Sequence, residues 1–272
     1  MKNHLKRIPA PKSWVIDRKE RTFTVRPKPS GHVIGNGLPL GMIVRDELSL
    51  TSTMREVKKS LTSSPVLVDG FPRKDYRFHV GLFDIITIPK VNKSYTITFD
   101  AKGRIIVEEI SKSDSTQKVC KVIGKTVLPK GKMQYHLHDG KNIVSEQKIA
   151  IGDSVILSLP SLEIKEVLQL KSGVPVYLIQ GKYRGSSGVL KELRQKQAVY
   201  SADGKDLETA RDYLFVVPAT MMAKVQKKEH AKEHTKELEH AKEQNKEQKQ
   251  QKSGKKHTSD NGSEKSSENT SE

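Results

Sequence analysis

Apolar residues fall at helical spacing in one short region of this chain and at strand spacing almost everywhere after it. Leu40, Ile43, Val44 and Leu48 sit at i, i+3, i+4 and i+8, one buried stripe of a helix. Pro39 suits the first position of that helix, where a missing N–H costs nothing. Thr51-Ser52-Thr53 interrupts the pattern. Thr53 with Glu56 then predicts a capping box, in which each side chain satisfies a backbone donor left free at a helix start. Met54, Val57 and Leu61 form the apolar side of this second helix, and Arg55, Lys58 and Lys59 point elsewhere. After Pro65, Val66-Leu67-Val68 reads as a strand and Asp69-Gly70 as its turn. A further strand is predicted over Leu82 to Ile88, stopped by Pro89.

From about 93 to 170 short β-rich runs alternate with turn signals. The runs are Tyr95 to Phe99, Ile105 to Val107, Gln117 to Ile123, Gln134 to His138 and Ser154 to Leu159. That spacing predicts a small antiparallel sheet or barrel. Val176 to Ile179 is another strand, and its return, Gly181-Lys182-Tyr183-Arg184-Gly185-Ser186-Ser187-Gly188, is punctuated by glycines that allow sharp turns. Ala198 to Val217 supplies the strands that would complete this third unit.

Composition changes the picture at both ends. Hydrophobic residues are 34% and charged residues 30% of the chain, so any core is divided into small pieces. The formal net charge is +17. Residues 1 to 40 hold nine Lys or Arg against two acids, a net of +7, whereas the chain from 219 onward holds twelve Lys against ten acids, a net of +2. A body this basic favours a polyanionic partner, with counterion release driving the association. Residues 1–37 carry Pro9, Pro11, Pro27 and Pro29 among the cations and predict an irregular arm that orders against a partner. The Lys/Glu-rich segment from 218 to 272 predicts a solvated, partly helical or disordered tail with no apolar face.

Enzyme chemistry finds little to rest on. Cys120 is the one cysteine, set in an apolar strand with no evident base beside it, and predicts a buried structural thiol in a reducing compartment. His136, His138 and Asp139 could begin a metal site, but nothing nearby in sequence supplies further ligands. His230 and His234 lie one helical turn apart with nothing to complete a site. Gly124-Lys125-Thr126 resembles the end of a phosphate-binding loop, yet Val119 stands where its first glycine belongs. No run approaches the ~20 apolar residues of a membrane span, and the amino terminus has no apolar core like that of a secretion signal. These observations predict a soluble, cytoplasmic, non-enzymatic chain with no cofactor, no metal, no membrane contact and no small-molecule substrate.

Two helices, then Val66-x-Val68-Asp69-Gly70, then Val80-Gly81-x-x-Asp84-Ile85, together with Arg45, Arg55 and Glu56, resemble the S-four RNA-binding domain. Asp69 stands where that family usually has Asn, and two residues separate Gly81 from Asp84 where most members have none. The glycine-punctuated return around Lys182 and Arg184 is similar to a KOW motif. At the amino end, His4-Leu5-Lys6-Arg7-Ile8, Pro11, Trp14-Val15-Ile16 and Arg18 resemble the opening of the S-four-e family of small-subunit ribosomal proteins, with Pro9 as a departure.

The resemblance implies an α+β chain: a basic arm (1–37), an S-four-type unit (38–92), a β-rich central domain (93–170), an SH3-like KOW barrel (171–217) and the low-complexity tail (218–272). It implies a structural role in the small ribosomal subunit, with small-subunit rRNA and neighbouring ribosomal proteins as partners. The implied RNA-binding residues are Lys6, Arg7, Arg18, Arg45, Arg55, Lys58, Lys59, Lys182 and Arg184, with Trp14 as the arm's anchor or stacking residue. S-four units also accompany RNA-modifying enzymes, and KOW motifs accompany transcription regulators. The first would need a larger catalytic domain, the second a separate docking surface.

Overall fold

The computed structural model describes residues 4–202, 204–219 and 221. The chain divides into two units, Met1–Met222 and Ala223–Glu272. Nearly all of the expected tail, with His230 and His234, therefore lies outside the described residues.

The described unit is β-rich with few helices. The arm contributes β1 (Leu5–Lys6) and β2 (Phe23–Thr24), paired antiparallel with Lys6 opposite Phe23. Next come β3 (Gly37–Pro39), α1 (Leu40–Met42) and α2 (Met54–Ser63). Pro39 is extended rather than helical: it ends β3 and caps α1. Of the stripe Leu40, Ile43, Val44 and Leu48, the first three are buried as their spacing requires and Leu48 is half-buried against the core. Past Met42 the helix widens over Ile43–Glu47, with the Leu48 amide donating to the carbonyl of Ile43 at 2.9 Å. The capping box at Thr53 and Glu56 forms, and Val57 and Leu61 are buried beneath α2.

Seven strands follow in the same region: β4 (Val66–Val68), β5 (Phe71–Arg73), β6 (His79–Gly81), β7 (Ile85–Ile88), β8 (Lys93–Phe99), β9 (Ile105–Ile110) and, opening the next sheet, β10 (Gln117–Val127). The expected strand Leu82 to Ile88 is broken. Phe83 takes a left-handed φ of 61°, and the Asp84 carboxylate accepts the Gly81 amide at 2.7 Å, so β6 turns away to pair with β3. One sheet runs in the order β5-β4-β7-β8-β9. The expected boundary at 92/93 thus cuts through a sheet, because Ile85–Ile88 pair with Lys93–Thr96 across a tight turn.

The second five-stranded sheet adds β11 (Met133–Leu137), β12 (Asn142–Ser145), β13 (Ser154–Ser158) and β14 (Ile164–Leu168), in the order β12-β11-β10-β13-β14. The third comprises β15 (Pro175–Leu178), β16 (Ser187–Leu193), β17 (Gln197–Ala202), β18 (Lys205–Ala210) and β19 (Leu214–Val216), in the order β18-β17-β16-β15-β19. The buried apolar residues form three clusters: the largest centres on the helices and the first sheet and takes in Trp14, Val119, Ile156, Tyr177 and Phe215, and two smaller ones belong to the second and third sheets. Polar bonds also tie the sheets to one another. Tyr177 on β15 uses its hydroxyl to accept from the Phe99 amide at 2.8 Å and to donate to the Phe99 carbonyl at 3.0 Å.

The arm has little regular structure, as its prolines predict, yet it is packed on the body. Trp14 is 3% exposed and lies in the first core cluster, its indole N–H donating to the Gly37 carbonyl at 2.9 Å. Ser13 accepts the Ile105 amide at 2.9 Å through its carbonyl. Residues 30–32 pass close to the central sheet. A Cβ on Gly31 would collide with the Asp139–Gly140 backbone, and one on Gly81 with the His32 ring. An arm waiting for a partner is therefore corrected to an arm anchored by one buried tryptophan and by glycines that allow close approach.

Candidate nucleic-acid interface

The cations expected to meet RNA fall into two groups. Lys6, Arg55, Lys58, Lys59 and Lys182 are exposed. On α2, Arg55, Lys58 and Lys59 lie off the side buried by Val57 and Leu61. The helix start is held firmly: the Glu56 carboxylate accepts the Ser52 and Thr53 amides at 3.0 and 3.4 Å, and those bonds lower its pKa. The Lys58 ammonium rests 4.6 Å from the centre of the Tyr76 ring, and that of Lys182 lies 5.5 Å from the Tyr183 ring. These side chains present charge to solvent from fixed backbone.

The remaining members are engaged within the protein. Arg7 is buried and donates to Glu20 at 2.6 Å, a bond that lowers the Glu20 pKa. The Arg18 guanidinium donates to the carbonyls of Arg7, Ile8, Ala10 and Pro11 at 2.9–3.2 Å, so one side chain satisfies a loop that has no ladder of its own. Arg45 forks onto Asp46 at 2.6 and 2.9 Å, which raises its pKa. Arg184 lies 3.7 Å from the centre of the Phe99 ring and donates to the Gly35 carbonyl and the Asn36 side chain. Trp14 faces the core and offers no ring to a ligand. Arg7, Arg21 and Arg45 do line a cleft of about 540 Å³ between arm and helices, but Asp17, Glu20 and Asp46 line it too, so its charge is balanced.

Beneath this surface lies a polar cluster that spacing along the chain does not reveal. The Lys118 ammonium, fully buried on β10, donates to Asp69 at 2.7 Å, Asp84 at 2.5 Å and Asp139 at 2.9 Å. Burial alone would lower the Lys118 pKa, but the carboxylates outweigh it and hold the group charged. Burial would likewise raise Asp84 and Asp139, and Lys118 holds both well below the usual carboxylate range. Lys141 adds a bond to Asp69 at 2.6 Å. His32 of the arm reaches Asp84 at 3.2 Å, and Ser30 reaches His79 at 2.9 Å. Three carboxylate oxygens this close form a set of the kind that holds a metal ion. Here the Lys118 ammonium takes the cation's place, and the cluster joins arm, first sheet and second sheet.

Neighbouring groups follow the same logic. Burial pushes the His138 pKa down to about 4, assisted by the Lys118 charge. Its Nδ1 receives the Lys121 amide at 3.3 Å. His136 instead bonds with Thr126 and Asn142, so it does not converge with His138 and Asp139. Burial raises the Cys120 thiol far above its ordinary pKa, leaving it a packing group rather than a nucleophile. Lys121, lowered by burial to about 8, donates to the carbonyls of Asp212 and Leu214, both at 2.7 Å, and so ties the second sheet to the third.

Comparison with known proteins matches residues 91–164 to the ribosomal family S4e and residues 1–34 to the RS4NT (NUC023) domain. The small ribosomal subunit protein eS4 of Methanococcus aeolicus is 38% identical over 231 residues, covering 79% of this chain and 94% of its own. The eS4 of Methanothermobacter thermautotrophicus is 36% identical over 223 residues, covering 79% and 92%. This chain belongs to the ribosomal S4e family.

A solved S4e structure, the 30S ribosomal protein S4e from Thermoplasma acidophilum, superposes with a TM-score of 0.59 at 26% identity, covering 67% of this chain and 95% of that one. As an S4e protein, the chain shares the β-rich architecture described above. What its sequence did not disclose is the Lys118 cluster. Asp69-Gly70 and Asp139-Gly140 read as turn signals, and their turn geometry does form, with left-handed Asp69, Gly70 and Gly140. Each aspartate has a second task that only the fold assigns. One signal was available: the acid at Asp69, where the S-four pattern usually has an amide, is the group that Lys118 and Lys141 meet.

Proposed function

We propose that this chain is a structural constituent of the small ribosomal subunit that binds rRNA and neighbouring ribosomal proteins and has no catalytic role. The observation that carries this reading is the identity to eS4 proteins across more than nine-tenths of their length. The net charge of +17 supports it, since a surface of that sign is suited to phosphate. In this reading Lys6, Arg55, Lys58, Lys59 and Lys182 meet phosphates directly. Arg7, Arg18, Arg45, Arg184 and Trp14 shape the arm and loops that carry them. Residues 38–92 act as the S-four-type unit, with its sheet continued by the first strands of the 93–170 region, and 171–217 as a KOW-type barrel. The protein works at the ribosome, in the cytoplasm.

Mechanically, a basic helix face and a packed arm bring fixed positive charge to RNA strands that would otherwise repel one another. Little ordering entropy is then left for binding to offset. Sedimentation of cell extract tests the reading. The chain should migrate with small subunits and stay with them through a high-salt wash. Migration with free protein, or with RNA polymerase, would overturn it.

A further inference from the structure

Most of the aromatic side chains here are buried, among them Trp14, Phe83, Phe99, Tyr135, Tyr177, Tyr200 and Phe215. Phe23 is not. It stands 54% exposed on β2, in the arm. The other exposed phenylalanine, Phe71, lines a groove of about 240 Å³ over the Asp69–Asp139 cluster. Phe23 lies directly across the strand pair from Lys6, and the His4 ring lies 5.5 Å away, tilted against it. His4 and Lys6 are themselves exposed, and Arg21, two residues before Phe23, has a side chain 69% exposed.

The backbone beneath this ring is unusually well fixed for an arm. The Arg7 amide donates to the Thr22 carbonyl at 3.0 Å, Arg7 is bound to Glu20, and Arg18 gathers the carbonyls of residues 7, 8, 10 and 11. Several buried or half-buried polar groups thus hold in place a hairpin whose outward face shows an aromatic ring and cations. A preorganised ring flanked by positive charge is the arrangement that stacks an unpaired nucleobase while its phosphates meet the cations.

We propose that Phe23, with His4 and Lys6 beside it, is a stacking platform for an unpaired rRNA base, and that Trp14 serves it from within the core by anchoring the arm. The proposal rests on the ribosomal reading above. An apolar pocket on a neighbouring protein would also cover a phenylalanine, but it would not call for the exposed Lys6 ammonium directly across the strand pair. The first forty residues carry a net +7, which favours RNA.

The test uses the full chain in small subunits purified from cells. Ultraviolet irradiation of wild-type subunits, followed by nuclease and protease digestion, should yield a nucleotide adduct on the peptide containing Phe23. Phe23→Ala and Phe23→Leu should each weaken retention through a salt wash roughly tenfold, the loss of one base stack. Phe23→Tyr should restore it, since the ring and not its apolarity is required. The thermal transitions of the free variants should match the wild type, because the side chain is exposed. Wild-type retention of Phe23→Ala without an adduct overturns the proposal. So does an adduct joining this peptide to another protein. Absence of the wild-type chain from subunits would overturn the ribosomal reading itself, and the platform with it.

Discussion

The Lys118 ammonium lies 2.7 Å from a carboxylate oxygen of Asp69, forty-nine positions earlier in the chain. One comes from a strand of the second sheet, the other from the hairpin turn of the first. Asp84 and Asp139 complete a ring of acceptors around the same nitrogen. A buried ammonium is tolerable only because every one of its N–H donors has a carboxylate.

Replacing Lys118 by Met should therefore destabilise the protein by about 3–5 kcal/mol at neutral pH, since it removes the one buried cation shared by three carboxylates and leaves only Lys141 beside Asp69 and Asp139 and the His32 ring beside Asp84. The sign with pH follows from the depressed Asp84 and Asp139 pKa values. Their contribution is full above the ordinary carboxylate range, about 4, and is lost as pH falls through the lowered folded values. The deficit of the variant should shrink in acid, where the carboxylates that have lost Lys118 protonate. Denaturant unfolding at several pH values reads both effects, and a deficit that does not change with pH would contradict the account.

His138 gives a second pH dependence in a different window. Its folded pKa is about 4, below the ordinary 6.5, because burial and Lys118 disfavour the imidazolium. The unfolded chain then binds the proton more readily, so stability is complete above about 6.5 and declines as pH falls toward 4. The groups facing the ring are Lys118, Asp139, His32 and Asp84, with Phe215 packed 5.2 Å away. Up to about 3 kcal/mol is at stake. In His138→Gln this decline should flatten, which unfolding curves at pH 7 and pH 5 would reveal.

Trp14 ties the arm to the body through a buried indole and one hydrogen bond to Gly37. Trp14→Ala should cost about 3–5 kcal/mol, the usual range for a large aromatic removed from a core. Amide exchange in the free protein should be slowed where arm amides are bonded, as at Arg7 and Trp14. Fast exchange there would restore the picture of an arm that orders only on RNA.

The outward face of α2 should act on binding and not on folding. Replacing Arg55, Lys58 and Lys59 together by Ala should flatten the salt dependence of rRNA binding by about 0.7–0.9 log units for each phosphate no longer neutralised. The thermal transition should move little, since these side chains are exposed and only Lys58 rests against a ring. Filter binding across a salt series measures the slope, and an unchanged slope would remove this face from the interface.

Whatever depends on near neighbours was legible in the order of residues alone. The Thr53–Glu56 capping box, the Leu40–Ile43–Val44 stripe, the Asp69-Gly70 turn and most strands are set by residues within a few positions of one another, and they formed as read. The excess of positive charge is likewise a property of composition. Which charges stay exposed was set only by the folded arrangement. Arg18 and Lys6 look alike along the chain, but one is spent on four carbonyls and the other faces solvent. It also decided that Phe83 breaks a strand to pack 4.9 Å from Phe215, and that Trp14 points inward. The physical reason is the same in each case. Desolvation and ion pairing depend on what lies within a few ångströms, and for Lys118 that is three aspartates from three separate turns.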